Sequence, residues 1–298
     1  MTNRGVPTLL GIPFDGQSSY LRGAGDAPPK IREAMRCDAS NLWTELGVDL
    51  GAAGTYEDAG DLSLSSDGEG RSHRGENPHF SQNQGEMGHP GTSDTTTSDA
   101  FAAIEAAVRA LVDAEKRPVS LGGDHSITYP VVKAVAQRYP GLTIFHFDAH
   151  PDLYDSFEGN RLSHACPFAR IMEAGLANRL VQVGIRTANR HQREQARKFR
   201  VEVVEMRGLP AYEKLKAAGP VYVTFDMDVL DPAFAPGVSH REPGGMSVRE
   251  AIAHLHAIEG EIVGADIVEY NPVRDVAEMT ATVAAKVVKE ILGRMIAR

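Results

Sequence analysis

The chain has 298 residues, 42% hydrophobic and 24% charged, with 40 acidic against 31 basic side chains and a formal charge of −9. That composition excludes wholesale disorder, and an acidic balance with no Lys/Arg block argues against nucleic acid or an anionic membrane as partner, leaving small molecules, cationic ones first. One α/β domain covering residues 1–298 accommodates the length. Two cysteines, Cys37 and Cys166, are too few for a disulfide framework and suit a reducing interior. The single short apolar stretch near the N-terminus, Val6 to Pro13, is no signal peptide or membrane span, so a cytoplasmic location is expected.

In chain order, a strand is predicted at Thr8–Ile12 and a helix at Pro29–Met35, whose prolines suit a first turn. From Ser63 to Asp99 the chain is rich in Ser, Gly, Thr, Asn, Gln and His, and reads as a long polar surface loop that cannot bury enough apolar surface to order itself. Its histidines, His73, His79 and His89, have no second ligand type at a useful spacing and read as solvated. Beyond it, short β-branched runs alternate with amphipathic stretches of helical period, the pattern of a mainly parallel sheet covered by helices. Strands are predicted at Pro118–Leu121, Leu142–Phe147, Leu180–Ile185, Val201–Glu205, Val221–Phe225 and Ile262–Val268. Helices are predicted at Asp99–Lys116, Ile127–Arg138, Pro167–Ala174, Arg190–Arg200, Leu209–Ala217, Val248–Glu259 and Val276–Ala297.

Three segments at the ends of predicted strands hold nearly all the unusual residues: Leu121-Gly-Gly-Asp-His-Ser126, Phe147-Asp-Ala-His-Pro-Asp-Leu-Tyr-Asp155 and Phe225-Asp-Met-Asp-Val-Leu-Asp-Pro232. Alternate residues of an extended strand share a face, so Asp148 and His150 point one way, as do Asp226 and Asp228, and Asp152 joins them if the extension persists past Pro151. Ligands of open α/β sheets bind outside the carboxyl ends of the strands, where His125 also lies. Four carboxylates so confined could not all ionise without cations. Six ligands, mostly oxygen with two imidazoles, are too many for a tetrahedral zinc site and suit a pair of Mn²⁺-like ions. Such a pair activates a bridging water as hydroxide near neutral pH.

GGDHS, DAHPDLYD and TFDMDVLDP resemble the signatures of the ureohydrolases, the arginase and agmatinase superfamily. The similarity extends to GIPFDG at Gly11–Gly16, DAGD at Asp58–Asp61, SHACPF at Ser163–Phe168, EPGG at Glu242–Gly245 and DIVEYNP at Asp266–Pro272. The resemblance implies a three-layer α/β/α, arginase-like fold, two Mn²⁺ per chain, and hydrolysis of a guanidino compound to urea and an amine by a metal-bridging hydroxide. It further implies that His125, Asp148, Asp152 and Asp226 hold one ion, and Asp148, His150, Asp226 and Asp228 the other. His164 matches the family's active-site histidine and Glu269 its guanidinium-binding glutamate. Asp152 would pass a proton to the leaving amine and His164 would shuttle protons at the pocket mouth. The resemblance also implies a homo-oligomer, a trimer or hexamer.

The DLYD form, with Tyr154 where arginases carry an Asn that helps to read an α-carboxylate, looks more like agmatinases, and makes agmatine the first choice of substrate. Arg161, Arg186 and Arg241 are the candidates for reading a second carboxylate. His240, in Ser239-His240-Arg241 where many relatives have Gly-Thr-Pro, either lines the pocket wall or turns outward. The competing readings are a guanidino-acid hydrolase or arginase, and a non-catalytic metal-binding member of the fold.

Overall fold

A computed structural model describes residues 5–64 and 94–297, the side chains of 94–96 excepted. His73, His79 and His89 lie outside the described residues. The strands are β1 (Pro7–Gly11), β2 (Glu57–Asp61), β3 (Arg117–Leu121), β4 (Leu142–Phe147), β5 (Ala177–Ile185), β6 (Glu202–Glu205), β7 (Lys216–Asp226) and β8 (Glu259–Val268). They form one sheet in the order β2-β1-β3-β8-β7-β4-β5-β6. Every pairing is parallel.

The helices are α1 (Ala27–Arg36), α2 (Asp94–Asp113), α3 (Thr128–Arg138), α4 (Pro167–Glu173), α5 (Arg190–Phe199), α6 (Val248–His256) and α7 (Met279–Ile296). A parallel sheet must be covered on both faces, and these helices divide accordingly. Ile31, Leu255 and Val288 bring α1, α6 and α7 onto one face, against Val119, Phe145, Phe147, Val223 and Phe225. Ile104, Val131, Phe168 and Ala196 bring α2 to α5 onto the other, against Leu142, Ile144, Leu180 and Tyr222. The expected three-layer α/β/α architecture is therefore present. No described helix is long and apolar enough to cross a membrane.

Three features depart from the sequence reading. The predicted helix at Leu209–Ala217 is a single 3₁₀ turn at Tyr212–Lys214 that leads straight into β7. Extended backbone there lets Lys216 pair with Glu259 of β8, whereas a helix starting beside Pro210 would have had little more than one turn. β2, Glu-Asp-Ala-Gly-Asp, carries no apolar alternation and is mostly exposed, so it left no strand signal; acidic edge strands of this kind discourage further pairing. Finally, α2 begins at Asp94 rather than Asp99, because Asp, Ser and Thr serve a first helical turn as readily as a loop.

One row of the sheet is polar. Register aligns Ser120, Asp266, Thr224, His146 and Gln182 across the five strands β3, β8, β7, β4 and β5. All five are fully buried, on the face covered by α2 to α5. This row lies just beneath the strand ends that carry the three motif segments.

Gly122 and Gly123, at φ 75° and 90°, turn the chain out of β3. A Cβ on Gly123 would lie 2.6 Å from the Phe14 carbonyl oxygen, and one on Gly122 2.6 Å from Pro28 Cδ. Both positions therefore require glycine. Gly123→Ala is expected to cost about 1–3 kcal/mol of stability; an unchanged thermal midpoint by circular dichroism would contradict this.

Candidate metal centre and active site

His125 opens the 3₁₀ turn that follows the glycine pair, and Asp124 caps that turn, its side chain accepting the Ser126 N–H at 3.0 Å. The other two segments converge by turns rather than by strand alternation. β4 stops at Phe147, and Asp148 then accepts the His150 N–H at 2.6 Å. β7 stops at Asp226, whose carboxylate accepts the Asp228 N–H at 2.8 Å. Asp152 and Glu269 adopt left-handed backbone, φ 47° and 62°, a conformation uncommon outside glycine and associated with functional sites.

All six motif residues meet. His125 Nδ1 lies 3.1 Å from Oδ2 of each of Asp148, Asp152 and Asp226. It is fully buried without a hydrogen-bond partner, while Nε2 contacts the Thr224 hydroxyl at 3.0 Å. An imidazole lone pair and three carboxylate oxygens around one point form the donor set of a divalent cation. On the other side of Asp148, His150 Nδ1 lies 3.4 Å from Asp148 Oδ1 and 2.9 Å from Asp228 Oδ2. Asp148 thus turns one oxygen to each histidine, as a shared ligand must. Asp226 turns Oδ2 to His125 and spends Oδ1 on the Asp228 amide.

The charge state of the cluster points the same way. Burial, with the Asp228 and Asp148 charges, pushes the Asp226 carboxyl well above the ordinary range, and burial raises Asp228 to about 6. Although burial opposes it, the surrounding carboxylates hold the His125 and His150 imidazoles well above their usual values. Protons here do what divalent cations do better, since two positive charges per ion relieve the same repulsion while leaving every carboxylate ionised.

His164 and Glu269 form the adjoining wall. Glu269 Oε1 accepts the His125 N–H at 2.9 Å and pairs with His164 Nδ1 at 3.0 Å. His164 Nε2 meets the Ser19 hydroxyl at 2.8 Å and the Ser19 N–H at 3.3 Å. The amide proton requires a lone pair on Nε2, hence the Nδ1–H tautomer. Against burial, Glu269, Asp124 and Asp152 raise the His164 pKa to about 9, which favours the imidazolium instead. Asp124 locks the Ser19 loop in place, its Oδ2 accepting the Gln17 N–H at 2.8 Å.

Of the expected substrate-binding residues, His240 does face inward, its ring 5.4 Å from that of His164 and 5.9 Å from that of His150. Ser239 anchors it, donating to the Leu21 carbonyl at 2.8 Å. Tyr154 turns elsewhere: its hydroxyl accepts from the Asn189 amide at 2.5 Å and its ring stacks on His191. All three candidate carboxylate readers are already engaged. Arg186 donates to the carbonyls of Asp228 and Glu242 at 2.7 and 2.6 Å, Arg161 pairs with Asp155 and Glu173, and Arg241 donates to the Pro236 and Arg274 carbonyls. A cavity of about 500 Å³ lies behind the 242–244 loop, lined by Arg186, Arg193 and Met206; none of the six clustered residues, His164 or Glu269 lines it, and it is not the reaction site. Sequence reading missed Ser19, His146, Thr224 and Gln182. The last three stand on strands that read as plain apolar runs, and only the sheet register brings them together.

The α/β/α fold and the donor set suit a metal-dependent hydrolase, and the comparison with known proteins gives the family. The Arginase family sequence model matches residues 7–293. The chain is 45% identical to "Arginase 1, mitochondrial" of Arabidopsis thaliana, over 97% of this chain and 80% of the relative, and 35% identical to an agmatinase of Bacillus subtilis, over 95% and 90%. The solved arginase of Medicago truncatula superimposes with a TM-score of 0.83 at 41% identity, covering 98% of this chain and 88% of that one. The chain belongs to the arginase family, hydrolases of guanidino C–N bonds that use a binuclear metal site.

Cation binding should stabilise the fold, by about 2.7 kcal/mol per site at 100 times the dissociation constant. The thermal midpoint is expected to fall on chelation and recover on reloading, and Asp226→Asn to blunt that response; a midpoint indifferent to chelator would contradict the assignment.

Proposed function

We propose that this chain hydrolyses the guanidino group of a small cationic substrate to urea and an amine, with two Mn²⁺ held by His125, Asp148, His150, Asp152, Asp226 and Asp228. The observation that carries this is the buried Nδ1 of His125, surrounded at 3.1 Å by oxygens from Asp148, Asp152 and Asp226. When bound, such a pair supplies Lewis acidity and a water acidic enough to be a nucleophile near neutral pH.

The chain's own residues supply the rest. Glu269 offers its carboxylate to the planar guanidinium, which can donate parallel N–H bonds to it, and so presents the guanidino carbon to the nucleophile. Asp152 accepts the proton released as the nucleophile adds. Asp152 then passes that proton to the departing amine, and His164, oriented by Ser19 and Glu269, exchanges protons with solvent at the pocket mouth. The inward-facing His240 limits the width of the cleft beside His164.

Arginine is the first substrate to try, because relatives named arginase share 43–45% identity with this chain against 35% for those named agmatinase. Agmatine, which has no α-carboxylate, is the second reading, favoured by the engagement of Arg161, Arg186 and Arg241 elsewhere. Members of this family are typically oligomeric, and a trimer or hexamer belongs to the same proposal.

Urea release after Mn²⁺ loading should be measured across arginine, agmatine, guanidinobutyrate and guanidinopropionate. Two bound metals with no urea from any of them would favour a non-catalytic metal-binding role. Glu269→Gln is expected to lower kcat/KM by about 10²-fold. His164→Asn should cost about 10²–10⁴-fold, mostly in kcat; full activity in either variant would remove that residue from the mechanism.

A further inference from the structure

His146 sits within ligand distance of His125 and Asp148, and the three could in principle hold an ion of their own. Its hydrogen bonds assign it another role. Gln182 directs its side-chain nitrogen, not its oxygen, at His146 Nδ1, 3.0 Å away. The same nitrogen lies 2.5 Å from the Pro151 carbonyl oxygen, which can only accept, and this fixes the orientation of the amide. His146 Nδ1 therefore keeps its lone pair and accepts. Its one ring proton is on Nε2, pointing at Asp148 Oδ2 at 2.6 Å. With one nitrogen accepting from Gln182 and the other protonated toward Asp148, no lone pair is left for a cation. Phe168 stacks on the ring, centroids 3.9 Å apart, and holds its plane.

Resting on the binuclear reading above, we infer that His146 is a positioning residue for the shared carboxylate Asp148, with its tautomer locked by Gln182. The bond from Nε2–H fixes Asp148 so that Oδ2 faces His125 while Oδ1 faces His150. Thr224, the register neighbour of His146 in the polar row, supports a second buried ligand from behind, its hydroxyl 3.0 Å from His125 Nε2. Partners of this kind set ligand orientation, and their loss typically weakens metal binding by about 10–100-fold.

The test is Mn²⁺ binding by competition with a chelator, with stoichiometry by elemental analysis, on the full chain and three variants. His146→Phe keeps the ring and its stack but loses the donor, and is expected to bind Mn²⁺ about 10–100-fold more weakly. His146→Gln returns an amide N–H close to the Nε2 position and should recover most of that loss. Gln182→Leu leaves the imidazole in place but frees its tautomer, and should show a smaller loss; it also carries the test if His146→Phe fails to fold. Binding as tight as the parent in folded His146→Phe or in Gln182→Leu would overturn the inference, as would a folded His146→Gln no better than His146→Phe. Three ions per chain in the parent, falling to two in His146→Phe, would make His146 a ligand and overturn it equally. Two ions in the parent with unaffected variants would sink this inference alone, whereas fewer than two in the parent would sink the binuclear reading and this inference with it.

Discussion

Mutual repulsion among buried carboxylates is the constraint to which the rest of the structure answers. Asp148, Asp152, Asp226 and Asp228 share one cleft, all at 7% exposure or less, and each charge pair at 4 Å costs about 4 kcal/mol at an effective dielectric of 20. No flexible loop would hold such a set together. The fold does so by setting the carboxylates at and just beyond the ends of two rigid central strands, β4 and β7, and by pinning Asp148 and Asp226 with local backbone bonds and Asp228 with the Ala149 amide, so that little can relax away from the repulsion. The paired glycines after β3, the left-handed backbone at Asp152 and Glu269, and the Asp124 clamp on the 17–19 loop all serve that confinement.

Much of this was legible in the sequence because confined charge requires particular residues at particular spacings. Asp-x-His-x-Asp and Asp-x-Asp after apolar runs, together with the Gly-Gly-Asp-His turn, identified the six cluster residues, although the side chains converge through tight turns and not through the alternation of an extended strand. Strands with apolar neighbours on both faces were found within a few residues. β2 was invisible because an exposed acidic edge has no hydrophobic period, and residues 209–217 were misread because a short apolar spacing beside Pro210 fits a helix on paper and a strand in the register.

The polar row was hidden for a different reason. Ser120, Asp266, Thr224, His146 and Gln182 are single polar residues scattered over nearly 150 positions of sequence, and each looks like an isolated irregularity in its own strand. They become a unit only when five parallel strands are placed in order and register. Cross-strand pairing of this kind follows from topology, which a linear pattern does not carry.

That row also bears on how the protein responds to selection. Buried hydroxyl, amide and carboxylate groups in mid-sheet are poor contributors to stability compared with well-packed aliphatic side chains, so replacing them with Val, Leu or Ile is the obvious route to a more heat-resistant protein. Chosen for thermal tolerance alone, variants would accumulate apolar residues at these five positions and erode the support beneath Asp148 and His125. The interior of this sheet is thus a place where robustness and chemistry draw on the same residues in opposite directions.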